Sequence, residues 1–564
     1  MKSKLRGIGW IITSVVLSVA FCPLFGRAQS AAAPASPPQN GAVLAGPNAS
    51  AGAGTGAKVG NSLKTFSEVY GLIEQNYADP VPPDLTIYGP SGSNNIGAIP
   101  AMLRTLDPHS NFFDPTSFAK MQEEMRGDYY GVGMEIAPRP DKAGKMVTIV
   151  EQPLPDSPAF NAGLRPGDTI VEVDGKSTAT LDSTQVADML RGPRDTMVSV
   201  TVTREGVSHP LSFTLKRQKI TQPSVDTAFM IRPDIAYIRI NTFNETTNPE
   251  LTDALNKLGQ QDFKGLILDL RENRGGLLNQ AVGVASHFLR KNQLIVYHNG
   301  RSSPEQKYYA ETGEEGPEYP IIVLTNNNTA SAAEIVTGAL QDHDRALVMG
   351  QRSFGKGLVQ TEYPLSNDTM LLLTTAHYYT PSGRLIQRDY SDISLYDYYN
   401  HYDPAPLPHT QARLTDGGRE VFGGGGITPD IIVSPEKLNP TEEKLVAAGA
   451  FFDFGGRYLA DHKTISEDFK PNGKALEAFR KFLASDNVNI SAQDLKDNEE
   501  FIRQHIQEQL VRAIDGSPAA DQIAIEDDPL VGRALDSLPQ AKALLVQAQR
   551  YMAERGTEVS PAVH

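Results

Sequence analysis

Residues 321–350 read IIVLTNNNTASAAEIVTGALQDHDRALVMG, and this stretch decides the fold class. The apolar runs IIVLT and ALVMG predict two strands, and SAAEIVTGAL between them predicts a helix because its apolar residues recur at three- and four-residue spacing. A strand, a helix and a second strand in succession indicate an α/β core.

The same alternation begins upstream, at Ile235. IAYIRI and LILDL predict strands, and PELTDALNKLG and LNQAVGVASHFL predict helices. The α/β core is therefore expected over residues 218–435. It includes a polar, tyrosine-rich insertion at about 387–415 and ends with the run GGGGITPDIIV.

The region before the core, residues 127–217, has a different pattern. Its short β-rich runs are YYGVGMEI, MVTIVEQ, DTIVEVDG and VSVTVTREG, and one helical stretch, STQVADMLRG, interrupts them. We therefore expect a separate β domain here.

The first 28 residues have the order of a secretory signal peptide. Basic residues within the first six positions precede an apolar run at 7–25, and small residues follow it. We expect cleavage after Ala28 and an exported protein that is periplasmic or associated with the cell envelope. The apolar run is long enough that an uncleaved membrane anchor stays open as an alternative.

The flanks of the two central regions also have distinct compositions. Residues 29–61 are mostly Ala, Gly, Pro and Ser, which predicts a flexible tether. Residues 62–126 contain two helix-like stretches, SLKTFSEVYGLIEQNYA and AIPAMLRTL, which we expect to pack together as a helical N-terminal region. Residues 436–564 are rich in Ala, Leu, Lys and Glu and predict a helical C-terminal region.

Length, charge and cysteine content exclude some classes of protein. A chain of 564 residues, 40% of them apolar, is too long for one hydrophobic core, so several globular domains are expected. A net charge of −15 argues against nucleic acid as a partner and gives no attraction to anionic lipid. The single cysteine, Cys22, lies in the predicted signal peptide, so the mature chain is expected to have no disulfide.

Ser331 is the first candidate for chemistry, because it lies where the strand IIVLT turns into a helix. We expect its hydroxyl to be exposed, with backbone N–H groups nearby at the positive end of a helix dipole. A lone serine at this position is also a common helix N-cap, which is the alternative. DLRENRGGLL (269–278) opens another helix, so the N–H of Gly275 or Gly276 and that of Ala332 are candidates for an oxyanion hole.

The stretch GQRSFGKG (350–357) raises nucleotide binding as an alternative role for Lys356. A phosphate-binding loop needs serine or threonine after the lysine to ligate magnesium, and this chain has Gly357. The acidic strand LILDL also precedes the loop, against the usual order. Nucleotide binding is therefore the less favoured interpretation.

The β domain resembles a PDZ domain in the circularly permuted order found in bacterial proteases. The resemblance rests on SPAFNAGLRPGDTIVEVDGKS (157–177) together with YYGVGMEI (129–136). It implies that a peptide C-terminus binds by adding a strand, with its carboxylate facing the backbone N–H groups of a glycine-flanked loop. That loop is Gly131, Val132, Gly133 and Met134, and the alternative is that the two glycines only open a strand.

Six motifs together resemble those of the carboxyl-terminal processing peptidases, or tail-specific proteases, over about residues 62–435. The motifs are LDPHSNFFDP (106–115), DLRENRGG (269–276), TASAAE (329–334), GKG (355–357) with Gln360 following, YYTPSGRLIQ (378–387) and GITPD (426–430). The resemblance implies a multidomain α+β and α/β fold. Its parts are a helical N-terminal element, the permuted PDZ-like β domain, an α/β serine peptidase core and a helical C-terminal extension.

The resemblance also implies roles for individual residues. In that family a lysine activates a serine nucleophile and a glutamine positions the lysine, which assigns these roles to Ser331, Lys356 and Gln360. The implied function is that of an exported serine endopeptidase, without metal or other cofactor, that cuts proteins near free C-termini through an acyl-enzyme. Assembly into a homo-oligomer through the helical ends stays open.

The lysine must meet two conditions. Its reference pKa is ~10.4, so it can act as a general base only if burial lowers that pKa by several units. In a regular strand, Lys356 and Gln360 would share a face but lie ~13 Å apart at their Cα atoms. Gly357 would have to kink the segment to bring the two side chains together. His343 and His377 are the nearest histidines, and we interpret them as structural.

A PDZ adaptor that binds protein tails without cutting them is the alternative from another functional class. It is favoured if the wild-type protein binds C-terminal peptides and leaves them whole. The intact set of catalytic motifs makes the peptidase the preferred hypothesis.

Overall fold

The fold was taken from a computed structural model, which describes residues 53–78, 82, 86–89, 97–141, 144–311, 318–391, 393–400, 412–462 and 469–558. The predicted signal peptide (1–28), most of the predicted tether (29–61) and part of the tyrosine-rich insertion lie outside these residues. The chain divides into two compact units. One contains residues 119–361 together with everything described after 373, and the other contains the described residues up to 118 together with 362–373.

In the smaller unit, helix α1 (Ala53–Asn76) begins inside the range predicted to be a tether, so that prediction is wrong for residues 53–61. Extending a helix by one residue costs far less than nucleating it, so the helix continues backwards through these small residues. Leu63 and Leu72 on α1 are 62% and 61% exposed. The described residues therefore do not show the expected burial of α1 against α2 (Ala98–Leu103).

A short strand in the same unit lies within the LDPHSNFFDP motif (106–115). Asp107 accepts hydrogen bonds from the N–H groups of His109 and Ser110, both at 2.7 Å, which forms the turn before β1 (Asn111–Phe113). Strand β1 pairs antiparallel with residues 370–372 at the start of β18. Helix α3 (Pro115–Arg126) follows.

The PDZ-like β domain lies in the larger unit, and its main sheet has the strand order β3-β4-β5-β7-β8. Strand β6 pairs with β5, and β2 pairs with β9 outside this sheet. Within the described residues β3 pairs only with β4, so its other edge is open. The elements are β2 (Asp128–Gly131), β3 (Met134–Pro140), β4 (Met146–Pro153), α4 (Pro158–Ala162), β5 (Thr169–Val173), β6 (Lys176–Ser177), α5 (Ser183–Leu190), β7 (Met197–Thr203), β8 (Leu211–Lys216) and β9 (Gln218–Thr221).

Strand β5 begins after a turn that a buried ion pair stabilises. Asp168 is fully buried, accepts from the N–H of Arg165 at 2.8 Å and is bound by two nitrogens of Arg204 at 2.6 and 2.8 Å. Gly167 before it has a φ of +87°, which favours glycine. The Arg-Pro-Gly-Asp sequence thus fixes where the strand starts.

The peptidase core is a sheet with the order β10-β11-β12-β15-β16-β21, in which β10 and β11 are antiparallel and the remaining pairs are parallel. Helices α6 to α8 bury their apolar faces against one side of it. The elements are β10 (Thr227–Arg232), β11 (Ile235–Arg239), α6 (Thr247–Gly259), β12 (Gly265–Asp269), α7 (Leu278–Ser286), β15 (Ile321–Thr325), α8 (Ala332–Asp342), β16 (Leu347–Gly350) and β21 (Ile431–Ile432).

A second sheet of the core is antiparallel and contains the segment after Lys356. Strand β18 pairs with β1, β13 and β17, and β13 also pairs with β14. The elements are β13 (Leu294–Gly300), β14 (Ser303–Tyr309), β17 (Leu358–Pro364) and β18 (Met370–Tyr379), followed by helix α9 (Leu395–Asn400) and the hairpin of β19 (Ala412–Leu414) and β20 (Glu420–Phe422).

The C-terminal helices form two groups. Helix α16 (Pro529–Glu558) packs through Val531, Ala534 and Leu538 on the side of the core sheet that α6 to α8 leave uncovered. It is therefore a layer of the peptidase core as well as part of the helical C-terminal region. The preceding helices, several of which share a separate aromatic cluster, are α10 (Pro440–Ala447), α11 (Ala450–Asp461), α12 (Gly473–Ser485), α13 (Ala492–Asp497), α14 (Glu499–Asp515) and α15 (Ser517–Glu526).

No helix among the described residues is both long and apolar enough to cross a lipid bilayer. No cluster of three or more His, Cys, Asp or Glu side chains suited to a metal ion occurs in the same part of the chain.

Candidate active site

Ser331 lies in a sharp turn between β15 and α8. Its φ is +56°, a backbone conformation that a residue with a Cβ rarely adopts. The residue is 3% exposed. The sequence predicted the position of Ser331 between a strand and a helix, but it predicted an exposed hydroxyl, and the residue is buried.

The side chain of Glu334, one turn into helix α8, connects Ser331 with the lysine loop, which we define as residues 353–357. One carboxylate oxygen, Oε2, accepts from the N–H of Ser331 at 2.8 Å and from the N–H of Lys356 at 2.9 Å. The other, Oε1, accepts from the N–H of Gly355 at 2.7 Å and from the hydroxyl of Ser353 at 2.5 Å. The two backbone segments are therefore joined through one side chain.

Glu334 is fully buried. Burial raises the pKa of Glu334 above its usual value, although the hydroxyl of Ser353 and three backbone N–H groups act in the opposite direction. All four groups donate, so this position suits an acceptor-only carboxylate. Sequence reasoning assigned no role to Glu334, because an acid three residues after a helix-opening serine is also the pattern of a capping box.

Tyr378 binds the same two residues through their carbonyl groups. Its hydroxyl lies 3.1 Å from the carbonyl oxygen of Ser331 and within hydrogen-bond distance of that of Lys356. The side chain is 2% exposed, and its burial raises the pKa of Tyr378 well above the usual value. Glu334 accepts from the backbone N–H groups of Ser331 and Lys356, and Tyr378 binds their carbonyl oxygens. The two side chains together therefore fix the backbone of both residues.

Lys356 is 5% exposed, and Gln360 is fully buried. The Nζ atom of Lys356 donates to Oε1 of Gln360 at 3.1 Å. The regular-strand geometry that would separate them does not apply, because β17 begins only at Leu358. The Cα of Gly357 lies so close to the neighbouring segment that an added Cβ would be 2.9 Å from the backbone nitrogen of Gln387.

The glycines after β12 lie directly beside the serine. A Cβ added to Gly275 would lie 2.8 Å from the Cβ of Ser331 and 2.9 Å from the backbone nitrogen of Ala332. The N–H of Gly275 donates to the side chain of Asn273 at 2.8 Å and is therefore occupied. Among the described residues no hydrogen bond is found for the N–H of Gly276 or that of Ala332. Of the two glycines named from the sequence, only Gly276 has an N–H without a hydrogen bond in the described structure, and a Cβ there would meet the backbone of Phe243.

An ion-pair network holds the start of the glycine segment, which we define as residues 269–276. Burial alone would raise the pKa of Asp269, but Arg271 beside it lowers that pKa. Tyr237 donates to Asp269 at 2.6 Å. Arg271 also binds Asp528, at the start of α16, at 2.7 Å.

The proposed peptide-binding loop has a fixed backbone. The carbonyl of Val132 accepts from the N–H of Ala159 at 2.9 Å, and that of Gly133 accepts from the hydroxyl of Ser157 at 2.7 Å. Gly133 has a φ of +72°, and a Cβ there would lie 2.3 Å from the Cβ of Ser157. Met134 follows and begins β3, the strand with the open edge.

The geometry of the lysine loop opposes nucleotide binding. The N–H groups of Gly355 and Lys356 donate to Glu334, and the N–H of Gly357 donates to Gln387 at 2.8 Å. A phosphate-binding loop needs such groups to face its anion. Here they are already occupied by side chains of the protein.

Among the described residues, neither of the two histidines near the site forms a hydrogen bond with Ser331. His343 binds Asp416 at 2.6 Å and the carbonyl of Leu294 at 2.7 Å. Burial opposes the charge of His343, but Asp416 outweighs it and raises the pKa. The Nδ1 of His377 is buried without a hydrogen-bond partner among the described residues.

Comparisons with known proteins agree with this architecture. The profile of peptidase family S41 matches residues 234–394, and a PDZ domain profile matches residues 149–204. The carboxy-terminal-processing protease of Bartonella bacilliformis is 37% identical over 329 residues, covering 58% of this chain and 72% of that protein. The carboxyl-terminal-processing protease of Synechocystis sp. is 38% identical over 295 residues, covering 52% of this chain and 68% of that protein.

A solved structure, the photosystem II D1 C-terminal processing protease, matches with a TM-score of 0.33 at 28% identity, over 67% of this chain and 94% of that one. The profile and sequence matches define a serine-type peptidase, a hydrolase, that contains a PDZ domain. The chain belongs to the carboxy-terminal processing proteases of peptidase family S41.

Proposed function

We propose that this protein is an exported endopeptidase that cuts proteins near their C-termini with Ser331 as nucleophile and Lys356 as general base. The observation that carries the assignment is the shared oxygen of Glu334, which accepts from the N–H groups of both residues. These two bonds hold Ser331, which has a hydroxyl, next to Lys356, which has an amine, and both residues are buried. Export is supported by the signal-like pattern of residues 1–28.

The reaction uses the protein's own groups. Nζ of Lys356 takes the proton as Oγ of Ser331 attacks the scissile carbonyl, and returns it to the departing amine when the acyl-enzyme forms. Water then hydrolyses the acyl-enzyme with the same lysine as base. Gln360 binds the amine through a neutral oxygen, so it orients Nζ without the negative charge that would favour the ammonium form.

The oxyanion of the tetrahedral intermediate needs donors beside the nucleophile. The N–H of Ala332, the residue after Ser331, and that of Gly276, the residue after the glycine packed against Ser331, have no other hydrogen bond in the described structure. Preorganised N–H donors of this kind each contribute about 3 kcal/mol of transition-state stabilisation.

The PDZ domain supplies recognition of the substrate tail. The open edge of β3 can accept an extended peptide as an additional strand, with the terminal carboxylate at residues 131–134. We therefore expect an unfolded substrate with a free C-terminus to be cut about tenfold more efficiently than the same substrate with an amidated C-terminus. The measurement is kcat/KM for the two substrates, and equal values would contradict recognition of the tail.

A pair of glycine variants tests the same loop. Gly133→Ala is expected to raise KM for the free-tail substrate about tenfold, because its Cβ has no room beside Ser157 and φ is +72°. Gly175→Ala is the matched control, since its φ is +75° and no atom lies within 4 Å of the added Cβ. Titration of a labelled C-terminal peptide gives the affinities. Equal loss in both variants would assign the effect to backbone strain alone.

The ion pair between Arg271 and Asp528 gives a further prediction. Asp528→Asn keeps the oxygen that caps α16 through the N–H of Leu530 but loses the charge that binds Arg271. We expect the free energy of unfolding to fall by about 1 kcal/mol and kcat to fall a few-fold, because the arginine also binds the start of the glycine segment. The exposed neighbour Asp527→Asn is the control and is expected to change neither.

The alternative is an adaptor that binds tails without cutting them. It predicts that wild-type protein binds free-tail peptides and leaves them whole after prolonged incubation. One incubation with mass-spectrometric detection of products separates the two functions.

A further inference from the structure

Three consecutive backbone N–H groups of the lysine loop donate to side chains instead of to a neighbouring strand. The N–H groups of Gly355 and Lys356 donate to Glu334, while the N–H of Gly357 donates to Oε1 of Gln387 at 2.8 Å. The position of Lys356 therefore depends on an acceptor on each side of it. Glu334 belongs to the helix of the nucleophile, but Gln387 belongs to the start of the tyrosine-rich insertion.

Gln387 has a defined amide orientation. Its Nε2 donates to the carbonyl of Arg388 at 2.8 Å and to the hydroxyl oxygen of Tyr398 at 3.2 Å. A carbonyl can only accept, so the NH2 group must face it, and the amide oxygen is left to face Gly357. The hydroxyl oxygen of Tyr398 accepts from the same NH2 group and therefore favours the same orientation of the amide.

Tyr398 connects the insertion with the lysine loop. It lies on the short helix α9 and is 1% exposed. Its ring meets the ring of Phe354 edge-on, with centroids 5.4 Å apart. The guanidinium of Arg388 lies 4.3 Å from the ring of Phe354 and 4.4 Å from that of Tyr398. Phe354 is itself part of the lysine loop, so the contact is direct.

The segment that carries Gln387 also fits the lysine loop closely. The N–H of Arg388 donates to the carbonyl of Gly355 at 3.0 Å. A Cβ on Gly355 would lie 3.1 Å from the Cβ of Arg388, and one on Gly357 would lie 2.9 Å from the nitrogen of Gln387. The two segments thus contact each other at residues on both sides of Lys356.

We propose that Tyr398, acting through Gln387, is a positioning residue that keeps Lys356 in place beside Gln360 and near Ser331. The proposal rests on the proposed function in one respect, namely that Lys356 is the base. It gives the described start of the tyrosine-rich insertion a part in catalysis although none of its residues needs to touch the substrate.

The test compares Tyr398→Phe with Tyr396→Phe, a control on the same helix whose side chain is 64% exposed. Removing one hydrogen-bonding partner from a buried amide should lower kcat roughly tenfold for Tyr398→Phe, with KM unchanged. The acid limb of the kcat/KM profile should move to higher pH, because a looser loop leaves the amine more hydrated. Tyr396→Phe should behave as wild type.

Two variants of Gln387 separate positioning from a merely structural role. Gln387→Glu keeps an acceptor for the N–H of Gly357 and should retain more activity than Gln387→Met, which has none. The rate at which a fluorophosphonate labels Ser331 should fall in the same order. Unfolding temperatures measured on all variants show whether the fold is kept.

The outcomes distinguish this proposal from the proposed function. Wild-type kcat and an unchanged pH profile in Tyr398→Phe, with Lys356→Met inactive, would overturn the positioning role and leave the peptidase mechanism standing. Hydrolysis by Lys356→Met would overturn the mechanism instead. Amide hydrogen exchange at residues 354–358 reports on the loop without catalysis: faster exchange in Tyr398→Phe than in Tyr396→Phe supports the proposal, and equal exchange contradicts it.

Discussion

Replacing Lys356 with methionine is expected to abolish hydrolysis while leaving the protein folded. Methionine is close to lysine in length and suits a site that is 5% exposed, so the free energy of unfolding should stay within about 1.5 kcal/mol of wild type. In the proposed mechanism no other group takes the proton of Ser331, so kcat/KM should fall at least about a thousandfold. Initial rates on an unfolded polypeptide with a free C-terminus measure the loss.

The matched control for this variant is Lys264→Met, whose amine is on a side chain 69% exposed. It should keep wild-type activity. Ser331→Ala should be as inactive as Lys356→Met, because the N–H that binds Glu334 belongs to the backbone and survives the change. The double variant should be no worse than either single one, since the two groups act as a unit. Substantial activity in either single variant would refute the assignment.

The second large effect is expected from Glu334→Gln. Glutamine has one acceptor oxygen and turns its NH2 group toward two of the four donors that Glu334 now binds. The bonds lost are charge-assisted, each worth about 1.5–3 kcal/mol. We expect kcat to fall at least about a hundredfold and the free energy of unfolding to fall by roughly 3 kcal/mol.

A graded series makes this prediction specific. Ser353→Ala removes only one of the four donors and should lower kcat about tenfold or less. Glu305→Gln changes a side chain that is 48% exposed and should have no effect. Binding of a C-terminal peptide to the PDZ domain should be unchanged throughout, which excludes global unfolding as the cause. If Glu334→Gln kept wild-type kcat, the shared carboxylate would not be what aligns the serine with the lysine.

Most of the architecture could be predicted from local patterns in the sequence. The strands at 235–240 and 321–325 and the helix after Ser331 have the apolar spacing of buried elements, and the structure contains all of them. The PDZ-like β domain was predictable because its turn chemistry, as in the Asp168 turn, is encoded in neighbouring residues. These features depend on interactions that are short in sequence.

The support of the site was less predictable, because it depends on contacts between distant segments. Tyr378 lies 47 residues from Ser331 along the chain, and no local pattern assigns its hydroxyl to the carbonyl of that residue. Glu334 was visible only as a capping pattern, since its second set of partners comes from the lysine loop. The occupied N–H of Gly275 likewise reflects how Asn273 folds back, which the sequence Arg-Glu-Asn-Arg-Gly-Gly does not reveal.

The sequence left two arrangements open for Lys356 and Gln360: a regular strand that separates them, and a kink at Gly357 that brings them together. Lys356 and Gly357, the two residues before β17, are not part of the strand, and Gln387 binds the N–H of Gly357. A residue thirty positions away therefore binds the segment between the two side chains. The alternation of side chains along a strand carries no information about such a contact between distant segments.

The placement of α16 has a consequence for how the enzyme matures. Val531 and Leu538 cover apolar side chains of β12 and β15, the strands that lead to the glycine segment and to Ser331. During synthesis this helix emerges roughly two hundred residues after the nucleophile, and until it docks one side of the sheet is exposed to water. A nascent or truncated chain that lacks this helix therefore leaves apolar side chains of the two strands uncovered, although all the candidate site residues are already present.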